Sequence, residues 1–225
     1  MHQLTTPEAY FAALVVSEPS RPFVTYYDEA TGERTELSVK SLANWVAKTH
    51  HLLATELGLG VGDTAQVSLP AHWLSVPVVL GCLSAGLSFS SSSPAVAFVS
   101  PGDEDAAALD TYVVASKPSG EPGDYITAVR PQADAWASVH SPAGPDDACF
   151  DALTRAEVVE RAAAVGLDAG ARVLTTRAWT SPNDWIDTLF APLVVGGSVV
   201  YVANCDDEDV LARRMSQERA TTRLT

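Results

Sequence analysis

The amino-acid sequence predicts an α/β fold of duplicated lobes, each with a mainly parallel sheet flanked by helices. Three observations predict it. Gly58-Leu59-Gly60-Val61-Gly62-Asp63 and Gly166-Leu167-Asp168-Ala169-Gly170 each follow a helix-like run and lead into a strand-like run, at 64–69 and 172–176. Each strand is followed by a Trp, an apolar segment and a small-residue turn: Trp73 with Ala85-Gly86 in one copy, Trp185 with Gly196-Gly197 in the other. Gly58 matches Gly166, and Gly62 matches Gly170, at one offset of 108 residues. Two αβα units in one chain indicate a duplicated α/β sandwich. The expected division is a first lobe over 1–115, a linker at 116–124 and a second lobe over 125–225, the two lobes being able to pack as one domain.

The elements follow in order. Residues 7–15 read as an entry helix with Tyr10, Phe11 and Leu14 on one face. Residues 22–27 and 34–37 flank Asp28-Glu29-Ala30-Thr31-Gly32-Glu33, which predicts a hairpin with a longer loop. Ser38 stands where a helix N-cap belongs, its hydroxyl suited to an orphan N–H. Leu42, Trp45, Val46, Thr49, Leu52 and Leu53 then keep helical spacing, so 39–57 is an amphipathic helix stopped by Gly58 and Gly62. The apolar stretch 73–89 is broken by Pro77, Gly81, Ser84, Gly86 and Ser88, so it reads as a buried helix plus turn instead of a membrane span. Strands at 95–99 and 111–115, joined through helical turns at 103–109, predict a parallel crossover. A further strand is expected at 136–140, then a Pro/Gly/Asp loop at 141–147. Thr154-x-x-Glu157 matches a capping box for a helix to 165. A strand at 172–176, a helix at 183–195, a strand at 198–202 and a helix at 206–219 complete the chain. The last helix has acids at its start and Arg213, Arg214 and Arg219 near its end, as the helix dipole favours.

Composition limits the function classes. The chain has 225 residues, 47% apolar content and a mean hydropathy of +0.08, which suits a folded globular protein. Its net charge of −14 is shared evenly, −7 over 1–120 and −7 over 121–225, with no basic stripe. That disfavours nucleic-acid backbones and anionic membranes as partners. Cys82, Cys149 and Cys205 form no CxxC pair and no disulfide framework. The start of the chain shows no secretory signal pattern, and the expectation is a soluble cytoplasmic protein.

This order of elements resembles the N-terminal part of the adenylate-forming (AMP-binding) superfamily: acyl-CoA synthetases, luciferases and peptide-synthetase adenylation domains. The resemblance covers roughly 4–225. It rests on strand-turn-strand-helix-Gly-x-Gly-Asp over 23–63, and on Leu69-Pro70-Ala71-His72-Trp73 followed by Gly81-Cys82-Leu83-Ser84-Ala85-Gly86. Leu153-Thr154 resembles the start of the helix after the family's phosphate loop. Ala191-Pro192-Leu193 before Gly196-Gly197-Ser198-Val199-Val200 resembles the next helix-to-strand turn. The chain is also similar to a small actinobacterial family of short homologues of these enzymes.

The departures from that pattern bear on activity. The resemblance implies a Ser/Thr/Gly-rich loop ending in Pro-Lys-Gly just before Leu153, with amides and hydroxyls holding ATP phosphates. That position is Ser141-Pro142-Ala143-Gly144-Pro145-Asp146-Asp147-Ala148-Cys149. Pro142 and Pro145 lack an N–H, Asp146 and Asp147 repel phosphate, and no Lys follows Lys117. Ser141, Gly144, Asp146 and Asp147 therefore mark a degenerate phosphate loop. The chain is also expected to stop before the family's ribose- and adenine-binding motifs, hinge and lid-domain Lys, so no residue inherits those roles.

Other signals have plain explanations. Gly58, Gly60 and Gly62 precede a strand and do not open a helix, unlike a dinucleotide loop. His50 and His51 are adjacent and cannot form an i, i+4 metal pair. Asp206-Asp207-Glu208-Asp209 suits a helix N-terminus. His140 beside Ser141 is a poor base and nucleophile pair, since sequence neighbours rarely align for that chemistry. Trp179 and Trp185 fall where the resemblance places an aromatic segment near substrate; they line either a residual ligand groove or a packed core. No catalytic residue, cofactor or metal site is assigned. The expected role is non-catalytic binding of a protein or small ligand, with a homo-oligomer or another protein as partner. The alternative is an incomplete adenylate-forming subunit completed by a partner that supplies the missing motifs. A third, residual hydrolysis, lacks a nucleophile and base.

Overall fold

The computed structural model describes residues 4–103, 108–121 and 123–225. In chain order its elements are α1 (Pro7–Ser17), β1 (Pro22–Asp28), β2 (Arg34–Ser38), α2 (Val39–His51), β3 (Thr64–Ser68), α3 (Ser75–Ala85), β4 (Ser88–Phe89), β5 (Val96–Val99) and β6 (Asp110–Val113). Then come α4 (Tyr125–Val129), β7 (Ala148–Phe150), β8 (Leu153–Thr154), α5 (Arg155–Ala164), β9 (Arg172–Thr175), α6 (Pro182–Trp185), α7 (Ala191–Val194), β10 (Ser198–Ala203), α8 (Glu208–Gln217) and β11 (Thr222–Leu224). One π-helical turn, Leu52–Glu56, extends α2, and another, Ile186–Phe190, joins α6 to α7. The result is two mainly parallel sheets with helices, as the sequence predicts.

The chain forms two compact units. One comprises the chain up to Lys40, Ala71–Trp73 and Ala156–Thr225; the other comprises Ser41–Pro70 and Leu74–Arg155. The first holds a five-stranded sheet in the order β11-β9-β10-β1-β2. Only the β1–β2 hairpin pairing is antiparallel there. The second holds a six-stranded sheet, β6-β5-β3-β4-β7-β8, antiparallel only at β7–β8. This division differs from lobes at 1–115 and 125–225. The reason is strand pairing: Thr25 of β1 lies opposite Val200 of β10, so the N-terminal hairpin completes the sheet built by the C-terminal residues. Hydrophobic periodicity locates strands but carries no information on distant partners.

The duplication is present in the backbone. Gly58 and Gly166 have φ of 70° and 78°; Gly62 and Gly170 have 97° and 74°. These are left-handed conformations that favour glycine. The Gly60 carbonyl accepts from Asp63 N–H, and the Asp168 carbonyl accepts from Ala171 N–H, both at 3.0 Å. Thr64 then pairs with Ser88, and Arg172 with Ser198. Where β10 begins beside β9, a Cβ on Gly197 would lie 2.1 Å from the Ala171 carbonyl oxygen.

Packing explains the helices. All eleven residues of α3 are buried, which requires its apolar, nearly uncharged sequence. Gly81 lets α3 approach α2, since a Cβ there would stand 2.5 Å from Thr49 Cβ. Cys82 and Cys149 are buried free thiols, and burial pushes the Cys82 thiol far up. Three details differ from expectation. Trp136–Ser138 is a 3-10 turn closed by Val139 N–H on the Trp136 carbonyl, because residues 136–140 find no strand to pair with. The C-terminal residues form β11 beside β9. The helical turns expected at 103–109 fall mostly on 104–107, outside the described residues.

Candidate functional site

In the second unit, residues 141–147 lead into the β7–β8 hairpin and then α5. Ser141 is half-buried and its hydroxyl donates to the Leu83 carbonyl at 3.4 Å. Gly144 N–H donates to Asp147 Oδ2 at 2.7 Å, and Asp147 N–H returns to the Gly144 carbonyl at 3.2 Å. The Asp147 carbonyl accepts from Arg155 N–H at 3.0 Å. Asp146 is exposed. The loop thus closes on its own carboxylate: Asp147 engages the Gly144 amide, the kind of donor a phosphate-binding loop offers to its ligand.

Arg155 lies beside this loop and sequence reasoning missed it. Its side chain is fully buried. Nη2 donates to the Leu87 carbonyl at 3.0 Å, and Nη1 reaches the Leu83 carbonyl at 3.5 Å. The guanidinium therefore sits against the C-terminal end of α3, where the helix dipole favours a cation. A signal was present in the sequence: an Arg at the first position of α5 opposes that helix's own dipole, so its charge must be used elsewhere.

Trp179 and Trp185 belong to the first unit, and residues 141–147 to the second. Both are less than a tenth exposed. Their ring centroids are 5.4 Å apart, and Trp179 meets Tyr201 edge-on at 5.7 Å. Trp179 Nε1 donates to Thr188 Oγ1 at 3.0 Å, and the Tyr201 hydroxyl donates to the Thr188 carbonyl at 3.1 Å. Burial pushes the Tyr201 hydroxyl far above its ordinary pKa. Asp184 fixes the approach to α6 by accepting from Thr180 N–H, Thr180 Oγ1, Ser181 N–H and Ser181 Oγ, at 2.8–3.0 Å. Burial raises that carboxyl, but the four bonds outweigh it and hold it below the usual carboxylate range. The two indoles are built into a packed aromatic wedge.

Other sequence candidates have structural places. The rings of His50 and His51 lie 5.2 Å apart, and burial, then the His51 charge, holds His50 below its ordinary pKa. Asp207 caps α8, its Oδ1 accepting from Asp209 and Val210 N–H at 2.9 and 3.2 Å. Among the described residues there is no group of three or more His, Cys, Asp or Glu that could hold a metal ion. No helix of the described residues is long and apolar enough to cross a membrane.

The first unit also carries a charge network. Glu218, at the end of α8, receives bonds from the Tyr27 hydroxyl, Arg34 and Arg172, the last at 2.5 Å. The Arg214 guanidinium covers the Tyr27 ring at 4.0 Å. These contacts fasten α8 to β1, β2 and β9.

No protein-family model matches the chain. It is similar to a Mycobacterium tuberculosis (strain ATCC 25618 / H37Rv) protein described as "TIGR03089 family protein", at 37% identity over 243 residues, covering 97% of this chain and 99% of that one. Among solved structures it is similar to a Brucella canis acyl-CoA synthetase, with a TM-score of 0.79 and 14% identity. That match covers 97% of this chain and 46% of the synthetase. It is also similar to the anthranilate CoA ligase AuaEII, solved with anthranoyl-AMP, with a TM-score of 0.76 and 11% identity over 99% of this chain and 50% of the ligase. The chain spans about half the length of these enzymes, and at such identity the likeness shows a shared fold.

Proposed function

The chain belongs to the TIGR03089 family, and we propose that it acts there by binding a protein or small ligand, without catalysing adenylation. The fold is that of the N-terminal part of an acyl-CoA synthetase. The observation that carries the proposal is the closure of the 141–147 loop. The Gly144 amide is bonded to the Asp147 carboxylate at 2.7 Å, Pro142 and Pro145 have no N–H, and Asp146 stands exposed alongside. A phosphate brought to this loop meets carboxylates where an ATP-using enzyme supplies donors. Each charge-assisted hydrogen bond contributes about 1.5–3 kcal/mol, so exchanging a few of them for repulsion removes useful ATP affinity.

What is bound would be a small acyl or nucleotide-like ligand, or a protein, including a second copy of the chain. Net charge favours partners that are neutral or basic at the contact.

The test is ATP–pyrophosphate exchange with a panel of carboxylic acids, including aromatic ones. Exchange is expected to stay at background. Exchange above background that survives Asp146→Ala and Asp147→Ala together would overturn the proposal and place the chemistry elsewhere. Exchange that appears only when a second protein is added would favour the incomplete-enzyme reading.

A further inference from the structure

The short segment Ala71–Trp73 joins the first compact unit, although the residues before it, to Pro70, and after it, from Leu74, belong to the second. Its attachment is specific. Trp73 Nε1 donates to Glu33 Oε1 at 2.8 Å. His72 Nε2 lies 3.7 Å from the same oxygen. The His72 ring meets the Tyr26 ring edge-on, with centroids 4.4 Å apart. One carboxylate oxygen, in the turn between β1 and β2, is therefore shared by two consecutive side chains of the segment.

We propose that Glu33, His72 and Trp73 form a proton-operated clasp, which holds residues 71–73 on the β1–β2 hairpin while His72 is neutral and loosens when the imidazole takes a proton.

Geometry gives the reason. His72 is wedged between Tyr26 and Trp73 with its side chain only 15% exposed, so a charged ring there loses most of its hydration. The ionisable groups facing it are Glu33 in the turn, Asp28 at the end of β1 and the Tyr26 phenol. Asp28 is engaged with Ala30 N–H, Thr31 N–H and the Asn204 amide, which spend its carboxylate on the turn and on the end of β10. Burial dominates and lowers the His72 pKa, while Glu33 and then Asp28 pull it up without reversing it. The sign follows. A group whose folded-state pKa is depressed by burial is neutral in the folded state. Its contribution is present above the ordinary imidazole value of about 6.5 and is lost as pH falls through the folded-state value. On protonation the imidazolium competes with the Trp73 indole N–H for the Glu33 oxygen, and the ring is driven toward water.

The Trp73 indole N–H resonance of the whole chain, assigned with Trp73→Phe, reports this contact directly. In the wild type it is expected to titrate with one midpoint below about 6.5. Amide exchange at 71–73 should accelerate over the same range. His72→Gln should abolish the step. Glu33→Gln should move the His72 ring midpoint lower still, because the carboxylate that favours the imidazolium is gone. A Trp73 resonance that stays fixed between pH 8 and 5 would overturn the proposal, as would a step that persists in His72→Gln. If His72→Gln does not fold, the wild-type His72 ring resonance decides: a midpoint at or above the ordinary imidazole value refutes the clasp.

Discussion

Gly197→Ala is expected to be far more damaging than the same change one residue earlier. At Gly197 an added Cβ would sit 2.1 Å from the Ala171 carbonyl oxygen and 3.1 Å from the Pro192 carbonyl oxygen. Both obstacles are backbone, so no rotamer relieves them. The Ala171 carbonyl accepts Ser198 N–H at 3.0 Å, the bond that starts the β9–β10 ladder, and Gly197 N–H donates to Pro192 at 2.7 Å. Relief must stretch one of these. Overpacking costs about 1–3 kcal/mol. A buried backbone group left unpaired adds about 1–3 kcal/mol. The sum is roughly 2–6 kcal/mol, or about 5–20 °C in Tm for a chain of this size. Gly196 is the control. It has a φ of 65° and nothing within 4 Å of an added Cβ, so Ala there carries only the left-handed penalty, about 1–2 kcal/mol. Urea unfolding followed by tryptophan fluorescence compares the two. Equal losses, or a Gly197→Ala loss under about 1 kcal/mol, would refute the close approach of the β10 turn to β9.

Glu218 gives the chain an acid-sensitive latch: burial raises its carboxyl, but Tyr27, Arg172 and Arg34 outweigh that and hold it below the ordinary glutamate range. A depressed folded-state pKa contributes stability above the unfolded value of about 4.3, lost as pH falls through the folded one; the urea midpoint should therefore drop in that window, and less so in Glu218→Gln. Trp179→Phe removes the donor to Thr188 and part of the wedge, and should cost about 1–2 kcal/mol by urea unfolding; no loss would contradict a packed indole. Asp147→Ala frees the Gly144 amide from a half-buried carboxylate and should cost about 1 kcal/mol in the same assay, with pyrophosphate exchange still at background.

The elements were legible where local chemistry decides them. Glycines 58, 62, 166 and 170 are needed for left-handed turns, so they announced both the turns and the duplication. The uncharged, mostly apolar α3 and the amphipathic α2 follow from composition and period. Pairing was not legible: nothing near Thr25 says that Val200 lies beside it. A strand is expected at 136–140, but a strand needs a partner, and Trp136–Ser138 forms a 3-10 turn. At the loop, the sequence exposed the missing donors and the extra acids. That Asp147 turns inward onto Gly144 is a contact between residues only three apart; that Arg155 is buried against α3 depends on packing between segments 68 residues apart.

The position of β1 between β10 and β2 also governs the order in which the chain can fold during synthesis. The hairpin is made before residues 41–155, yet the strand that completes its other side, β10, is made after them. Residues 41–70 and 74–155, by contrast, contain every strand of their own sheet. That unit can consolidate while the hairpin waits with one open edge. Non-local pairing of this kind slows folding and leaves strand edges exposed in the interim. On the ribosome, β1 and β2 therefore reach their final neighbours only after the intervening unit and β10 are made, an interval in which their strand edges stay exposed.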